Sequence, residues 1–413
     1  MYEYLILGAG VTGLALLNRF IQQGISNVLA LEMESTCGGL CRTMYVKGHV
    51  CDIGGHFFQT KYKDVEDFVF SFFSKDEFYQ INPRISKIHF HGIDIDYPIE
   101  ANIWQLPLDL EIKYLKSIVR NGEVLGRPAP NNYEDWIRWK LGDKICDEYM
   151  IPYNKKLWGV QPNQLDTDWL QKIPRIEVDE ILKDALTHTQ DIEKFPAHIR
   201  PYYPKSGGYG RVMEALVRPV EKLIKTETPV RTARYSEEES CWIVNNKFKA
   251  KNLVTTIPWP QLYEALGFPV EIQKQMRAIK FNKIVISLFE TSKNPYPYHW
   301  RYQPDLSVQH HREFFISNFV KDSKNFGVFT ETNESRFDPS HLSFPGTNIF
   351  NYVTPAAYPL PLIGRTRAIK EILEFYGPRH LYGIGRWGEH LHLNQDVCIK
   401  HALDFVDCEV ARR

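Results

Sequence analysis

A chain of 413 residues has room for two or three domains, and a hydrophobic share of 43% is ordinary for a globular protein with a sizeable core. Lysine plus arginine balances aspartate plus glutamate at 50 against 50, so no global field draws the chain to nucleic acid or to an anionic membrane. Seven cysteines scattered from Cys37 to Cys408 are not the dense even framework of a small secreted domain, and no second Cys or His pair at ligand spacing lies near Cys37 and Cys41. The expectation is a cytoplasmic protein with no metal centre, no nucleic-acid partner and no membrane association, in which any anionic ligand is held locally.

The opening "MYEYLILGAGVTGLALLNRF" is apolar but has no basic leader and is broken by patterned glycines, so it reads as a folded element rather than a signal peptide. No other stretch approaches the uninterrupted apolar length of a membrane span. A short strand, Tyr4 to Leu7, runs into Gly8, Gly10 and Gly13 in GxGxxG spacing, followed by an apolar helix to about Gly24. A second strand, Val28 to Leu31, ends on Glu32, at the distance beyond the last glycine where an acid meets a ribose hydroxyl. Glycines here allow a tight turn and close approach of a pyrophosphate to the helix N-terminus, whose free amides and dipole favour negative charge. The unit predicts a dinucleotide site.

Next come "STCGGLCRT", with Gly38 and Gly39 ahead of Arg42 and Thr43, and "CDIGGHFFQT", with Gly54 and Gly55 ahead of His56. Glycine pairs of this kind cost backbone entropy and pack no side chain, which predicts that a ligand comes close to the backbone. Residues 61–75 have helical periodicity, and "ISKIHFHGIDIDYPI" alternates like a hairpin turning at His91-Gly92. Residues 105–200 read as largely helical, with Asn131 or Asn132 as a cap. The "SGGYG" turn, flanked by Tyr202, Tyr203 and Tyr209, enters a helix predicted to end near Ile224; one of these tyrosines is expected to face the pocket. Short strands follow in "PVRTARY", "SCWIVNN", "KFKA" and "NLVTTIP", the last rejoining the nucleotide-binding sheet. Alternating runs between 280 and 355 predict an antiparallel sheet able to roof a cofactor. Near the end, a strand to Ile384 leads through Gly385 and Arg386 to a helix capped at Asn394, with Val397, Ile399, Ala402 and Leu403 on its apolar face.

The fold class expected is α/β: a Rossmann-like FAD-binding domain with an inserted helical domain and an antiparallel-sheet substrate domain. The boundaries are 1–75, 201–265 and 356–413 for the discontinuous FAD-binding domain, 105–200 for the helical insertion with a mobile loop, and 76–104 with 266–355 for the sheet domain.

The glycine pair of "STCGGLCRT" resembles the GG motif of FAD-containing oxidoreductases. Together with "GGHFF", "YNKKLWG", "QKIPR", "PKSGGYG" and the C-terminal segment, the chain resembles the FAD-dependent UDP-galactopyranose mutases, within the broader protoporphyrinogen oxidase and amine oxidase group. That resemblance implies cofactor contacts from Gly8, Gly10, Gly13, Glu32, Gly39, Arg42, Gly54, Gly55, His56, Val230, Gly385, Arg386, Asn394 and Gln395, with His56 and Arg386 beside the chemistry. It implies a small-molecule substrate, a UDP-sugar, contacted by Tyr153, Trp158, Lys172 and Tyr358, and leaves a homodimer open. In such a mutase the reduced flavin acts through N5 on the anomeric carbon, with no net redox change. Read as bare residues, Tyr153 and Trp158 are equally core aromatics, Lys172 a solvated lysine and Tyr358 a loop-packing tyrosine.

The chain also departs from the family's pattern. Lys172 stands where the family has a diphosphate arginine, with Arg175 three residues on, and lysine lacks the planar fork that grips phosphate. Gln59 replaces a second histidine, Ala357 replaces a tyrosine beside Tyr358, and "FFISNF" contains no arginine where another phosphate-side cation is expected. A net oxidase of amine oxidase or protoporphyrinogen oxidase type is therefore the alternative, and a flavin-binding protein without catalysis a third reading.

Overall fold

The computed structural model describes residues 1–170, 176–189, 200–323 and 326–412. Its first sheet is built on Tyr2–Leu7, which pairs in parallel with Val28–Leu31 on one side and Phe248–Thr255 on the other. Ile224–Lys225 extends it beyond Val28–Leu31, and Leu381–Gly383 pairs with the C-terminal half of Phe248–Thr255. The antiparallel strands Cys241–Val244 and Ala233–Ser236 continue from that strand's other half. Because the central strands are covered on both faces, they read as unbroken apolar runs: Leu5, Ile6 and Leu7 have no exposed surface.

The helix Val11–Gln22 crosses one face of this sheet, burying Leu14, Leu16, Leu17 and Phe20. It packs on the C-terminal helix Gln395–Ala411, whose buried Ile399, Ala402, Leu403 and Val406 repeat at helical spacing. Each fully buried leucine or phenylalanine here contributes roughly 1.5–3 kcal/mol.

A second sheet of seven strands is mostly antiparallel, in the order Thr347–Val353, Ile284–Thr291, Phe326–Asn333, Arg312–Phe315, Trp300–Tyr302, Ser86–Phe90, Ile93–Asp96. Alternation sorts its faces. Ile284, Ile286, Leu288, Phe314 and Phe329 join the core shared with the helix pair of the first sheet, while Phe289, Phe315 and Val328 pack on Phe344. The hairpin strands Ser86–Phe90 and Ile93–Asp96, turning at His91-Gly92 as expected, meet the helices Leu108–Ile118, Tyr133–Leu141 and Ile151–Trp158 in a separate core. Asn132 is the cap predicted for Tyr133–Leu141, its Oδ1 accepting from Asp135 N–H at 2.9 Å.

Three local expectations change. "KFKA" and "NLVTT" are one continuous strand, because Ala250 continues the buried alternation between exposed Lys249 and Lys251. The helix entered at Gly210 stops at Val217 instead of near Ile224: Arg218 keeps helical geometry and still donates to Glu214 O, but Pro219 offers no N–H to continue the ladder, and Ile224–Lys225 joins the sheet edge. Asn394 stands at the N-cap position of Gln395–Ala411, but its side chain makes no capping bond. Among the described residues no helix is long and apolar enough to cross a membrane.

Candidate functional site

The glycine turn after the first strand is pinned before it reaches any ligand. Gly8 N–H donates to Leu31 O at 2.8 Å, and Gly8 adopts φ +97°, a conformation that L side chains rarely take. A Cβ on Gly13 would lie 2.0 Å from Gly8 O, so the third glycine serves close helix–turn packing rather than ligand contact. Glu32 closes the turn from the next strand: Oε2 accepts from Ala9 N–H at 2.8 Å and Oε1 from Glu34 N–H at 3.0 Å. A carboxylate has about four lone-pair sites, so two remain for hydroxyl donors.

These groups open onto a cavity of about 600 Å³. Gly8, Gly10, Glu32, Gly39, Arg42 and Val230 line its inner end, Gly54, Gly55 and His56 its middle, and Arg386, Asn394 and Gln395 the wall beside the C-terminal helix. Its outer end holds Arg84, Tyr97, Tyr302, Arg312, Glu331 and Tyr358. Of the residues marked from the sequence, Gly13, Gly385, Tyr153 and Trp158 are not among the lining. A Cβ on Gly385 would strike the Thr12 side chain at 2.3 Å, which makes that glycine a packing requirement between the turn helix and the C-terminal segment. Trp158 is 1% exposed, donates to Asn154 Oδ1 at 3.0 Å and packs edge-on behind the wall residues Tyr358 and His392. Tyr153 lies between Tyr149, Tyr302 and His311, also one layer back. Lys172, like Arg175, falls outside the described residues.

Gly54 and Gly55 are bare for a reason the sequence did not reveal. A Cβ on Gly55 would sit 2.0 Å from the Phe314 ring, and Gly54 has φ +87° with Glu331 Oε1 3.0 Å from its notional Cβ. The Phe314 ring of the second sheet therefore demands Gly55, and the left-handed backbone favours Gly54, whatever lies in the cavity. His56 follows, its Nδ1 3.2 Å from Gly54 O and its ring stacked 5.9 Å from Tyr209. Burial, then the nearby Arg386, lowers its pKa to about 4, so the imidazole is neutral at physiological pH. None of Tyr202, Tyr203 and Tyr209 lines the cavity; Tyr203 OH and Tyr209 N–H instead donate to buried Asp52 at 2.7 and 3.0 Å.

Arg386 uses its fork on backbone. Nε and Nη2 donate to Leu393 O at 2.9 and 2.7 Å, which braces the entry to Gln395–Ala411. Gln395 Nε2 in turn donates to Phe57 O at 2.8 Å and ties that helix to the His56 loop. Arg42 donates to Gly39 O and Thr36 Oγ1, both at 2.9 Å.

At the outer end the decisive residue is one without a mark in the sequence. Arg312, which opens the strand Arg312–Phe315 two residues before the first phenylalanine of "FFISNF", donates through Nε to Glu331 Oε2 at 2.8 Å and through Nη2 to Tyr358 OH at 3.0 Å. Burial alone would raise the Glu331 pKa; Arg312 and His311 outweigh it and hold the carboxyl at about 2. The available signal was strand alternation, which turns Arg312 and Phe314 to the same face.

The loop carrying Arg84 is fastened by His299, whose Nδ1 accepts from Ile85 N–H at 2.9 Å. An accepting nitrogen must be unprotonated, and burial lowers the His299 pKa to about 4. The unfolded chain therefore takes up this proton first on acidification, and the histidine's contribution to stability falls from pH 6.5 to about 4, by roughly 3 kcal/mol in all. Buried Asp52, raised to about 6, acts with the opposite sign over an overlapping range. The check is a comparison of urea unfolding for wild type and His299→Gln, whose amide oxygen can still accept: wild type should lose ground to the variant as pH drops through this window, and parallel profiles would refute the assignment.

The same architecture recurs in known proteins. A model of the NAD(P)-binding Rossmann-like domain matches residues 6–72. The UDP-galactopyranose mutase of Mycoplasma pneumoniae is 24% identical over 229 residues, and the match spans about half of each chain, 52% of both. A crystal structure of reduced UDP-galactopyranose mutase superposes with a TM-score of 0.87 at 22% identity, over 100% of this chain and 96% of that one. Cyclohexylamine oxidase from Brevibacterium oxydans superposes with a TM-score of 0.68 at 13% identity, over 100% and 99%.

Proposed function

Starting from a fold that is UDP-galactopyranose mutase-like and structurally near the amine oxidases, we propose that the chain is a FAD-dependent enzyme acting on a nucleotide-diphosphate sugar. One observation carries the reading: a single cavity runs from the dinucleotide turn, past His56, into a lobe lined by tyrosines and arginines. The fit to FAD rests on this wall. Glu32 would take the ribose, the N-terminus of Val11–Gln22 and Arg42 the diphosphate, and Gly54 to His56 with Asn394 and Gln395 the ring. When bound and reduced, flavin supplies an electron-rich N5 able to attack an anomeric carbon.

The protein's own groups do the rest. Neutral His56 positions the loop without adding charge. Arg386 and the amides at the start of Gln395–Ala411 provide positive potential beside an electron-rich ring. Arg312 and Tyr358 face the leaving diphosphate, with Glu331 holding the guanidinium in place. Lys172, at the position matching the family's arginine, would add a point charge.

The test is turnover under two redox conditions. Chemically reduced protein should interconvert UDP-galactopyranose and its furanose form, or a related pair, without consuming reductant stoichiometrically, and oxidised protein should be inactive. Stoichiometric flavin reduction by substrate, with peroxide formed in air, would replace this reading with net oxidation of amine oxidase or protoporphyrinogen oxidase type. No turnover and no spectral response to any UDP-sugar would leave only a flavin-binding protein.

A further inference from the structure

Four arginines line the cavity: Arg42, Arg84, Arg312 and Arg386. Three have acceptors. Arg42 donates to Gly39 O and Thr36 Oγ1, Arg312 to Glu331 and Tyr358, and Arg386 to Leu393 O. Arg84 makes no hydrogen bond or ion pair with any described residue, and its Nε is buried without a partner. We infer that Arg84 anchors an oxyanion subsite at the outer end of the cavity, where it receives a phosphate or carboxylate oxygen of the substrate. The identity of that substrate as a nucleotide sugar rests on the reading above; the subsite itself does not.

The placement is built rather than incidental. Ile85 is clamped twice to His299, its N–H donating to Nδ1 at 2.9 Å and its carbonyl accepting from His299 N–H at 3.0 Å. The Arg84 guanidinium lies over the Trp300 ring, 4.2 Å from the centroid, and that ring is tilted against Phe57 at 5.4 Å. Trp300 also lines the cavity, and its Nε1–H is a second buried donor without an acceptor among the described residues. Tyr97 and Tyr302, 5.2 Å apart, complete this part of the wall.

A guanidinium removed from water and given no counter-charge is unfavourable unless something supplies one. Trp300 offsets part of that cost through its π face. Burial holds the Arg84 pKa down to about 10, and no carboxylate is among the groups acting on it. Glu331, the acid on this lobe's wall, is engaged by Arg312. The cation left over is oriented, partly withdrawn from water with its Nε buried, and able to grip two oxygens of a phosphate or carboxylate with its fork.

The experiment titrates the FAD-loaded wild type, Arg84→Gln and Arg84→Lys with UDP, UDP-galactose, UDP-glucuronate and inorganic pyrophosphate, reading the flavin difference spectrum and tryptophan fluorescence. A phosphate at Arg84 predicts that Arg84→Gln weakens all four probes at least tenfold. A sugar carboxylate predicts the same loss for UDP-glucuronate alone. In either case Arg84→Lys loses less, since it keeps charge without the fork, and Arg84→Gln melts no lower than wild type because it removes a half-buried charge that no described acceptor pairs. The inference is overturned if Arg84→Gln binds every probe as wild type does, if it melts lower with affinities unchanged, or if wild type responds to none of them. Arg84-dependent binding of pyrophosphate with no added affinity for uridine nucleotides would instead refute the nucleotide-sugar reading and leave the subsite standing.

Discussion

Arg312→Ala is expected to lower stability by about 3 to 5 kcal/mol, because it strands Glu331, 2% exposed, as an uncompensated buried charge. The pair is the electrostatic centre of the outer lobe, joined by bonds from Arg312 to Glu331 and Tyr358 and by His311 at 3.5 Å from Glu331. Its sign with pH is distinctive. In wild type the carboxyl sits near 2, below its unfolded value of about 4.3, so the pair's contribution is present above that value and is lost as pH falls toward 2. Without Arg312 the folded carboxyl titrates higher, and the deficit of the variant should shrink on acidification as Glu331 takes up a proton. Adding Glu331→Gln to Arg312→Ala should recover a coupling of roughly 1–3 kcal/mol, measured by urea unfolding. Strictly additive losses would show that the two side chains do not act as a pair. Affinity for UDP should fall in the double variant as well, which separates the stabilising role of the pair from its role at the ligand.

The second large effect is at the glycine turn. Gly13→Ala would place a Cβ 2.0 Å from Gly8 O, a backbone atom whose residue is fixed at φ +97° and tied to Leu31. Nothing nearby can yield cheaply, so the loss should be about 3 kcal/mol or more, at or beyond the upper end of ordinary overpacking, and bound dinucleotide should disappear with it. Gly24→Ala is the matched control: φ is +76° but no atom lies within 4 Å, so only the local backbone preference is lost, about 1 kcal/mol. Cofactor content after purification and denaturant melts of both variants test this. Equal melts would mean that the clash is absorbed and the packing argument fails.

The degree to which the site could be read from sequence tracks how local each requirement is. Strand, glycine turn, helix, strand and acid occupy one unbroken stretch ending at Glu32, and the structure brings Gly8, Gly10 and Glu32 to one end of a cavity as the spacing implied. His56, Arg386 and Gln395 were legible because each follows a glycine pair or a strand-to-helix junction. Trp158, marked as a substrate contact by the resemblance and equally as a core aromatic, packs one layer behind Tyr358 and His392; an aromatic on a helix looks alike in sequence whether it meets a ligand or a core. Gly55 lines the cavity, but the Phe314 ring, remote in the chain and brought in by the second sheet, is by itself enough to forbid a side chain there, and no local pattern shows that.

Arg84 and Arg312 had no local signature at all. Each stands in a stretch whose pattern says strand or turn, and a lone arginine there is most often solvated. Their meaning arises when the strand Trp300–Tyr302 pairs in parallel with Ser86–Phe90 and antiparallel with Arg312–Phe315, bringing segments far apart in sequence to one lobe. Short-range spacing specifies the dinucleotide turn because backbone geometry and helix amides act over a few residues. Which cation is neutralised, which is left open and which aromatic reaches the cavity are set by long-range packing, since burial and the identity of a counter-charge are properties of the assembled sheets.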